Sequence, residues 1–290
     1  MYDDSDLPPV PVTRHPRDFY LTGRTTLFAA RCDQRFSYCL HVPAGHGRDA
    51  EPLPLVVIQH GTGRTAVEYR DAFSEFAERH RCIVLAPLFP AGLLDSEDLH
   101  NFKFIEYRGI RFDQVLLEIV AEVGERFNAR TDRFLLQGFS GGGQFAHRFF
   151  YLHPDRLAGV SIGAPGRITR LDPSLPWWLG TEDFAERFGR APELAAMREV
   201  AVQMAVGEAD TETWEINNPG DSNWMDGADA AGLTRIDRLR TLRADFERHG
   251  IAVRFDLVPE VPHDGMGVLP VVKDFFAGLL PPQPAPGAAA

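Results

Sequence analysis

The segment that most constrains this chain is Phe134-Leu135-Leu136-Gln137-Gly138-Phe139-Ser140-Gly141-Gly142-Gly143, an apolar run that meets a serine fenced by glycines. A helical pattern follows it, so the segment reads as a strand, a sharp turn and a helix. A serine at the apex of such a turn crowds the backbone, and small residues two before and two after it let strand and helix approach closely. Gly138 and Gly142 supply that room. In a chain with 26 glycines a short G-x-S-x-G match carries little alone. Its weight comes from the strand before it and the helix after it.

The same rhythm runs along most of the chain. Residues 55–61 and 82–87 are continuous apolar runs suited to strands buried on both faces. Between them, residues 67–80 place Tyr69, Phe73, Phe76 and Ala77 on one helical face. Residues 112–127 carry Val115, Leu116, Ile119, Val120 and Val123 at helical spacing. After the serine turn come a helix over 144–152, strands over 157–162 and 200–206, a helix over 233–249, a strand over 253–258 and a closing helix over 265–280. Strands alternating with helices predict an α/β fold whose central sheet is mostly parallel and flanked by helices. Two stretches break the rhythm. Residues 167–192 hold Trp177, Trp178, Phe184 and Phe188, and residues 211–232 hold Trp214 and Trp224 among Asn, Asp and Gly. Both are too long for ordinary connections and read as cap-like insertions over a binding site.

Length and composition set the frame. The 290 residues fit a single large core, with 1–24 as a lead segment, 25–280 as the domain and 281–290 as a flexible Pro/Ala tail. A formal net charge of -11 repels phosphate backbones and anionic lipid surfaces, so neither nucleic acid nor membrane is an expected partner. The arginines of residues 235–248 alternate with acids, the pattern of a solvated helix face. The start, Met1-Tyr2-Asp3-Asp4-Ser5-Asp6, is the opposite of a basic secretory leader, and no apolar run is long enough to cross a bilayer. The expectation is a cytoplasmic protein. Its three cysteines are expected to be reduced: a hairpin turning at Asp33-Gln34 sets Cys32 opposite Arg35 and Cys39 opposite Phe28.

A serine hydroxyl needs a base within hydrogen-bond reach and an acid to orient that base. His263, in Val261-Pro262-His263-Asp264-Gly265, lies just past the last predicted strand, where an imidazole can face a cleft. Among ten histidines a surface or capping role is the bland alternative. Asp210 ends Gly207-Glu208-Ala209-Asp210, at the close of the preceding strand, and is the expected acid. Glu208 is the runner-up, and Asp221, Asp226 and Asp229 follow in the long loop. A tetrahedral oxyanion needs two aimed N–H donors, expected from Gly141 and from Thr62 in His60-Gly61-Thr62-Gly63-Arg64, with Gly63 the alternative. Arg64 is a candidate for a substrate carboxylate, or equally an exposed partner of Glu68. Trp177 and Trp178 are candidates for substrate contact, or equally packing residues. No dinucleotide fingerprint, phosphate loop or zinc ligand set is present, so no cofactor or metal is expected.

The order Gly138-Phe139-Ser140-Gly141-Gly142, Gly207-Glu208-Ala209-Asp210, Pro262-His263-Asp264-Gly265 resembles the α/β-hydrolase superfamily over roughly residues 25–280. With His60-Gly61-Thr62-Gly63 added, it is similar to bacterial esterases related to polyhydroxyalkanoate depolymerases and feruloyl esterases. The resemblance implies an α/β-hydrolase fold and a serine esterase acting on a small-molecule ester. Thioester or lactone cleavage, acyl transfer and a non-catalytic ligand-binding role are the alternatives that the same residues leave open.

Overall fold

Apolar runs without period-2 alternation become the middle strands of a sheet because both of their faces are covered. The computed structural model describes residues 18–47, 50–214, 216–221 and 223–282. A short helix α1 (Asp18–Leu21) precedes β1 (Gly23–Arg24), β2 (Phe28–Ala29), β3 (Ser37–Val42) and β4 (Leu53–Gln59). Helices α2 (Ala66–Ala72) and α3 (Ser74–His80) lead to β5 (Ile83–Leu88), and a small hairpin of β6 (Glu106–Tyr107) and β7 (Ile110–Arg111) precedes α4 (Phe112–Phe127). Then come β8 (Ala129–Phe139), α5 (Gly141–Leu152), β9 (Leu157–Gly163), α6 (Phe184–Phe188), α7 (Leu194–Arg198) and β10 (Ala201–Gly207). The chain closes with α8 (Arg235–Arg248), β11 (Val253–Val258) and α9 (Leu269–Ala277).

Among the described residues the main sheet has the order β1-β3-β5-β4-β8-β9-β10-β11, with β2 also paired to β3. Strand β3 runs antiparallel to β5, and every pairing from β5 through β11 is parallel. Parallel neighbours require crossover helices, which is why α4, α5 and α8 lie between strands in sequence. Residues 23 and 24, assigned by sequence to the lead segment, belong to the sheet, where Gly23 pairs with Val42. The rest of that segment up to residue 17, and the tail from residue 283, lie outside the described residues. No described helix is long and apolar enough to cross a membrane.

Four local expectations need correction. Residues 67–80 do not form one helix: the chain breaks at Phe73, whose N–H is shared between the Tyr69 and Arg70 carbonyls. Ser74 Oγ donates back to Arg70 O at 3.3 Å, the side-chain competition that bends helices. The first hairpin slides by one residue, pairing Phe28 with Tyr38 in place of Cys39. Ala30 N–H bonds Phe36 O, so residues 31–35 form the loop in place of two residues, with Phe36 N–H also donating to Asp33 O inside it. All three cysteines are free. The closing helix starts late, at Leu269, because residues 261–268 serve a loop. Finally, the arginine-rich helix α8 is solvated only in part: Arg240, Glu247 and Arg248 are exposed, but Arg235, Arg238 and Asp245 are each at most 3% exposed.

Helix α5 is buried along its whole length, so its polar side chains need partners inside the protein. Segment 167–169 supplies them. Thr169 N–H donates to His147 Nε2, and Thr169 O accepts from the Tyr151 hydroxyl at 2.6 Å. His147 Nδ1 donates to Gly143 O, one turn back in α5. His60 plays the same part at the end of β4, donating from Nδ1 to Gly61 O and accepting Phe89 N–H at Nε2. Each imidazole is wanted neutral, one nitrogen donating and the other accepting.

Burial holds His60 down to about 3 and His147 well below the ordinary histidine range. The unfolded chain protonates both below about pH 6.5, so stability present above that pH is lost as acid is added. Urea midpoints measured from pH 7 to pH 4 should fall, with each such histidine contributing up to about 1.4 kcal/mol per pH unit. A flat profile would contradict the neutral assignment.

Candidate active site

The turn between β8 and α5 holds Ser140 at φ 55 and ψ -116, a left-handed value that a side-chain-bearing residue rarely adopts. Two bonds keep it there: Ser140 N–H donates to Gly163 O at 2.9 Å, and Gln144 N–H donates to Ser140 O at 3.0 Å. The flanking glycines are required by contact. A methyl group at Gly138 would overlap the carbonyl of Gly142, and one at Gly142 would overlap the carbonyl of Gln59.

Parallel register then brings two more loops alongside. Strand β10 is two strands from β8, and its exit places Asp210 fully buried at the same sheet edge. Beyond the last ladder pair, Gly207 with Val258, two further bonds zip the loops together. Glu208 N–H donates to Val258 O, and Ala209 N–H donates to Val261 O. That zipper delivers His263 to Asp210. His263 Nδ1 lies 2.6 Å from Asp210 Oδ2, and Nε2 lies 3.0 Å from Ser140 Oγ. The Phe139 ring, 4.9 Å away and tilted 35°, supports one face of the imidazole. A 2.6 Å contact to a carboxylate assigns the proton to Nδ1 and leaves Nε2 to accept from the serine hydroxyl.

Glu208, the other acid at this strand end, is exposed. Asp221 pairs with Arg167, Asp229 pairs with Arg238, and Asp226 is exposed. Among the described acids weighed for the role, Asp210 alone bonds His263.

The loop after β4 is pressed against the Ser140 turn. A methyl group at Gly61 would lie 3.2 Å from Phe139 O and 3.9 Å from Gly141 N. One at Gly141 would lie 3.1 Å from Thr62 N. The backbone nitrogens of Thr62 and Gly141 thus share one small space beside Ser140. His60 and Arg64 fix this loop from behind. Arg64, expected either to meet a substrate or to pair with Glu68, instead donates to Thr62 O, Leu99 O, Phe89 O and Asn101 Oδ1. Four of its five N–H groups are thereby engaged within the chain. Its guanidinium also stands 5.2 Å from the centre of the Phe102 ring, and burial lowers it to about 10.

Trp177 and Trp178 go elsewhere. Trp178 packs on Phe104 and is 7% exposed, while Trp177 packs edge-on against Phe184 and Phe188. Both rings face the guanidinium of Arg148, which is fully buried on α5. Arg148 donates to Thr169 Oγ1 and to the carbonyls of Lys103, Gln144 and Arg167, and burial pushes it down to about 9. A buried cation among neutral acceptors gains from aromatic faces, which is the reason the insertion folds its tryptophans inward.

Sequence reasoning passed over His60, Arg148 and Arg235. No local signal marks them, because each is defined by what surrounds it in space. Among the described residues, no group of three His, Cys, Asp or Glu side chains is placed to hold a metal.

The fold defined by this sheet order, with its serine turn at the end of β8, is the α/β-hydrolase fold. Solved structures share it. A poly(aspartic acid) hydrolase from Sphingomonas sp. KT-1 matches with a TM-score of 0.70 and 21% identity, covering 87% of this chain and 98% of that one. A poly(3-hydroxybutyrate) depolymerase from Bordetella parapertussis gives 0.66 and 22%, covering 85% of each chain. An S-formylglutathione hydrolase from Agrobacterium tumefaciens gives 0.57 and 18%, covering 88% of this chain and 94% of that one. No protein-family model and no curated protein sequence matches the chain.

The strain at Ser140 yields a stability test. Ser140→Gly should be about 1 kcal/mol more stable than Ser140→Ala by urea denaturation, because glycine accepts the positive φ and alanine does not. Equal stabilities would show that the turn is unstrained.

Proposed function

We propose that the protein is a serine hydrolase that cleaves carboxylic esters through an acyl-enzyme on Ser140. The observation that carries this is the unbroken relay of 3.0 Å from Ser140 Oγ to His263 Nε2 and 2.6 Å from His263 Nδ1 to Asp210 Oδ2. His263 takes the hydroxyl proton as Ser140 attacks the substrate carbonyl, and Asp210 stabilises the imidazolium that forms. The N–H groups of Thr62 and Gly141 receive the negative charge developing on the carbonyl oxygen. The imidazolium then protonates the departing alcohol. Water, activated by the same imidazole, attacks the acyl-enzyme and frees the acid and the serine.

Structural neighbours described as hydrolases and a depolymerase support hydrolytic use of such a site. The substrate is an ester-type small molecule, met without nucleic acid, membrane or cofactor, and the compartment is the cytoplasm. The three free thiols support that placement.

A fluorophosphonate probe should label the folded protein at Ser140, and Ser140→Ala should abolish the label. With an aryl ester as substrate, Ser140→Ala and His263→Ala should each lower kcat by at least about 10³-fold, and Asp210→Asn by about 10³- to 10⁴-fold. Labelling that survives Ser140→Ala would sink the reading. Comparing kcat/KM across aryl esters, thioesters and lactones separates ester cleavage from its relatives, and added alcohols or amines reveal acyl transfer.

A further inference from the structure

Asp210 is fully buried, and a buried carboxylate needs more than one hydrogen bond to remain charged and fixed. Its Oδ2 meets His263. Its Oδ1 faces Nη1 of Arg235 at 3.4 Å, and that arginine is 3% exposed. Arg235 is the first residue of α8, directly after the N-cap Thr234, whose hydroxyl and the Asp237 carboxylate form a reciprocal capping box. The cap fixes where the arginine starts. From there the guanidinium also reaches the carbonyls of Glu212 and Trp214, at 3.3 and 3.5 Å, while its Nε has no hydrogen-bond partner among the described residues. A buried guanidinium with one N–H unsatisfied is costly, and the carboxylate it accompanies is the one that orients His263.

We infer that Arg235 is a positioning residue for the reaction, holding Asp210 in the orientation that receives His263 and tying it to the 211–214 backbone. The inference rests on the acyl-enzyme reading of Ser140, His263 and Asp210. Arg235 touches no reacting atom and acts through Asp210 alone. Its positive charge also counters the negative charge of Asp210 at His263. Other charged or titratable groups near the site, among the described residues, include Asp264, adjacent on its own loop, Tyr69 on α2, whose hydroxyl lies against Gly265, and Lys103, whose side chain lies against Gly141 and pairs with His100.

The test compares Arg235→Gln, which can still reach the carbonyls of Glu212 and Trp214 but lacks the charge, with Arg235→Lys, which keeps the charge. Aryl ester hydrolysis is measured from pH 5 to pH 9 alongside thermal melts. Arg235→Gln should lose about tenfold or more in kcat with KM within about twofold, the size expected for a hydrogen bond to a charged group. Loss of the positive charge removes a repulsion that opposes protonating the imidazole, so the acid limb of the kcat/KM profile should move to higher pH. Arg235→Lys should restore most of kcat and return the limb towards wild type. In an Asp210→Asn background, Arg235→Gln should cost no more than about twofold, because the residue through which it acts is already disabled. Wild-type kcat in Arg235→Gln would overturn the inference, as would an undiminished tenfold loss in the Asp210→Asn background. So would equal losses in Gln and Lys variants with an unmoved acid limb. If Arg235→Gln does not fold, Arg235→Met, which also removes the charge, is read by the same limb and the same double-mutant comparison. These results stay distinct from failure of the acyl-enzyme reading itself, which Ser140→Ala with retained activity would reveal.

Discussion

The close approach of β8 and α5 at Ser140 is the constraint on which the rest of the site depends. Glycine at 138 and 142 lets the two backbones touch, and the positive φ of Ser140 aims its side chain off the end of the sheet. The same contact that shapes the turn also brings the β4 loop against it, since the carbonyl of Gln59 is what a side chain at 142 would strike. The Ser140 side chain and the N–H groups of Thr62 and Gly141 are therefore set by one steric fact. Stability is given up locally for that geometry, and the buried sheet and helix on either side hold it in place.

Parallel register does the remaining assembly. Ser140, Asp210 and His263 come from positions spread over 123 residues, yet all leave the sheet at the C-terminal edge of strands β8, β10 and β11. Parallel strands point their exits the same way, so residues just beyond them cluster without any local sequence relation. The bonds from residues 208 and 209 to Val258 and Val261 extend the ladder past its last pair and set the histidine loop against the acid.

Polar groups inside the protein then decide how the insertions lie. Arg148, His147 and Tyr151 on the buried helix α5 recruit segment 167–169 and the faces of Trp177 and Trp178. Arg235 and Arg238 on α8 recruit the backbone and acids of the second insertion. These interactions explain why the two tryptophans, attractive as substrate contacts, are packing residues around a cation. They also explain why Arg235 and Arg238 of α8, spaced like residues of a solvated face, are buried: the insertion over residues 211–232 folds back over the first turn of the helix that follows it.

Much was legible in the order of residues. The parallel α/β class, the strand before Ser140, the helix over residues 112–127 and the positions of Asp210 and His263 at strand ends follow from hydrophobic period and turn chemistry, both local properties. The break at Phe73, the one-residue slide of the first hairpin and the late start of α9 did not follow. Each depends on which backbone groups find partners once neighbouring elements are packed. The sequence by itself determined which side chains could do chemistry and that they would meet at one sheet edge. Tertiary structure decided which polar groups stand behind them, because a buried charge takes its partners from whatever the fold brings within about 3 Å, however far along the chain they lie.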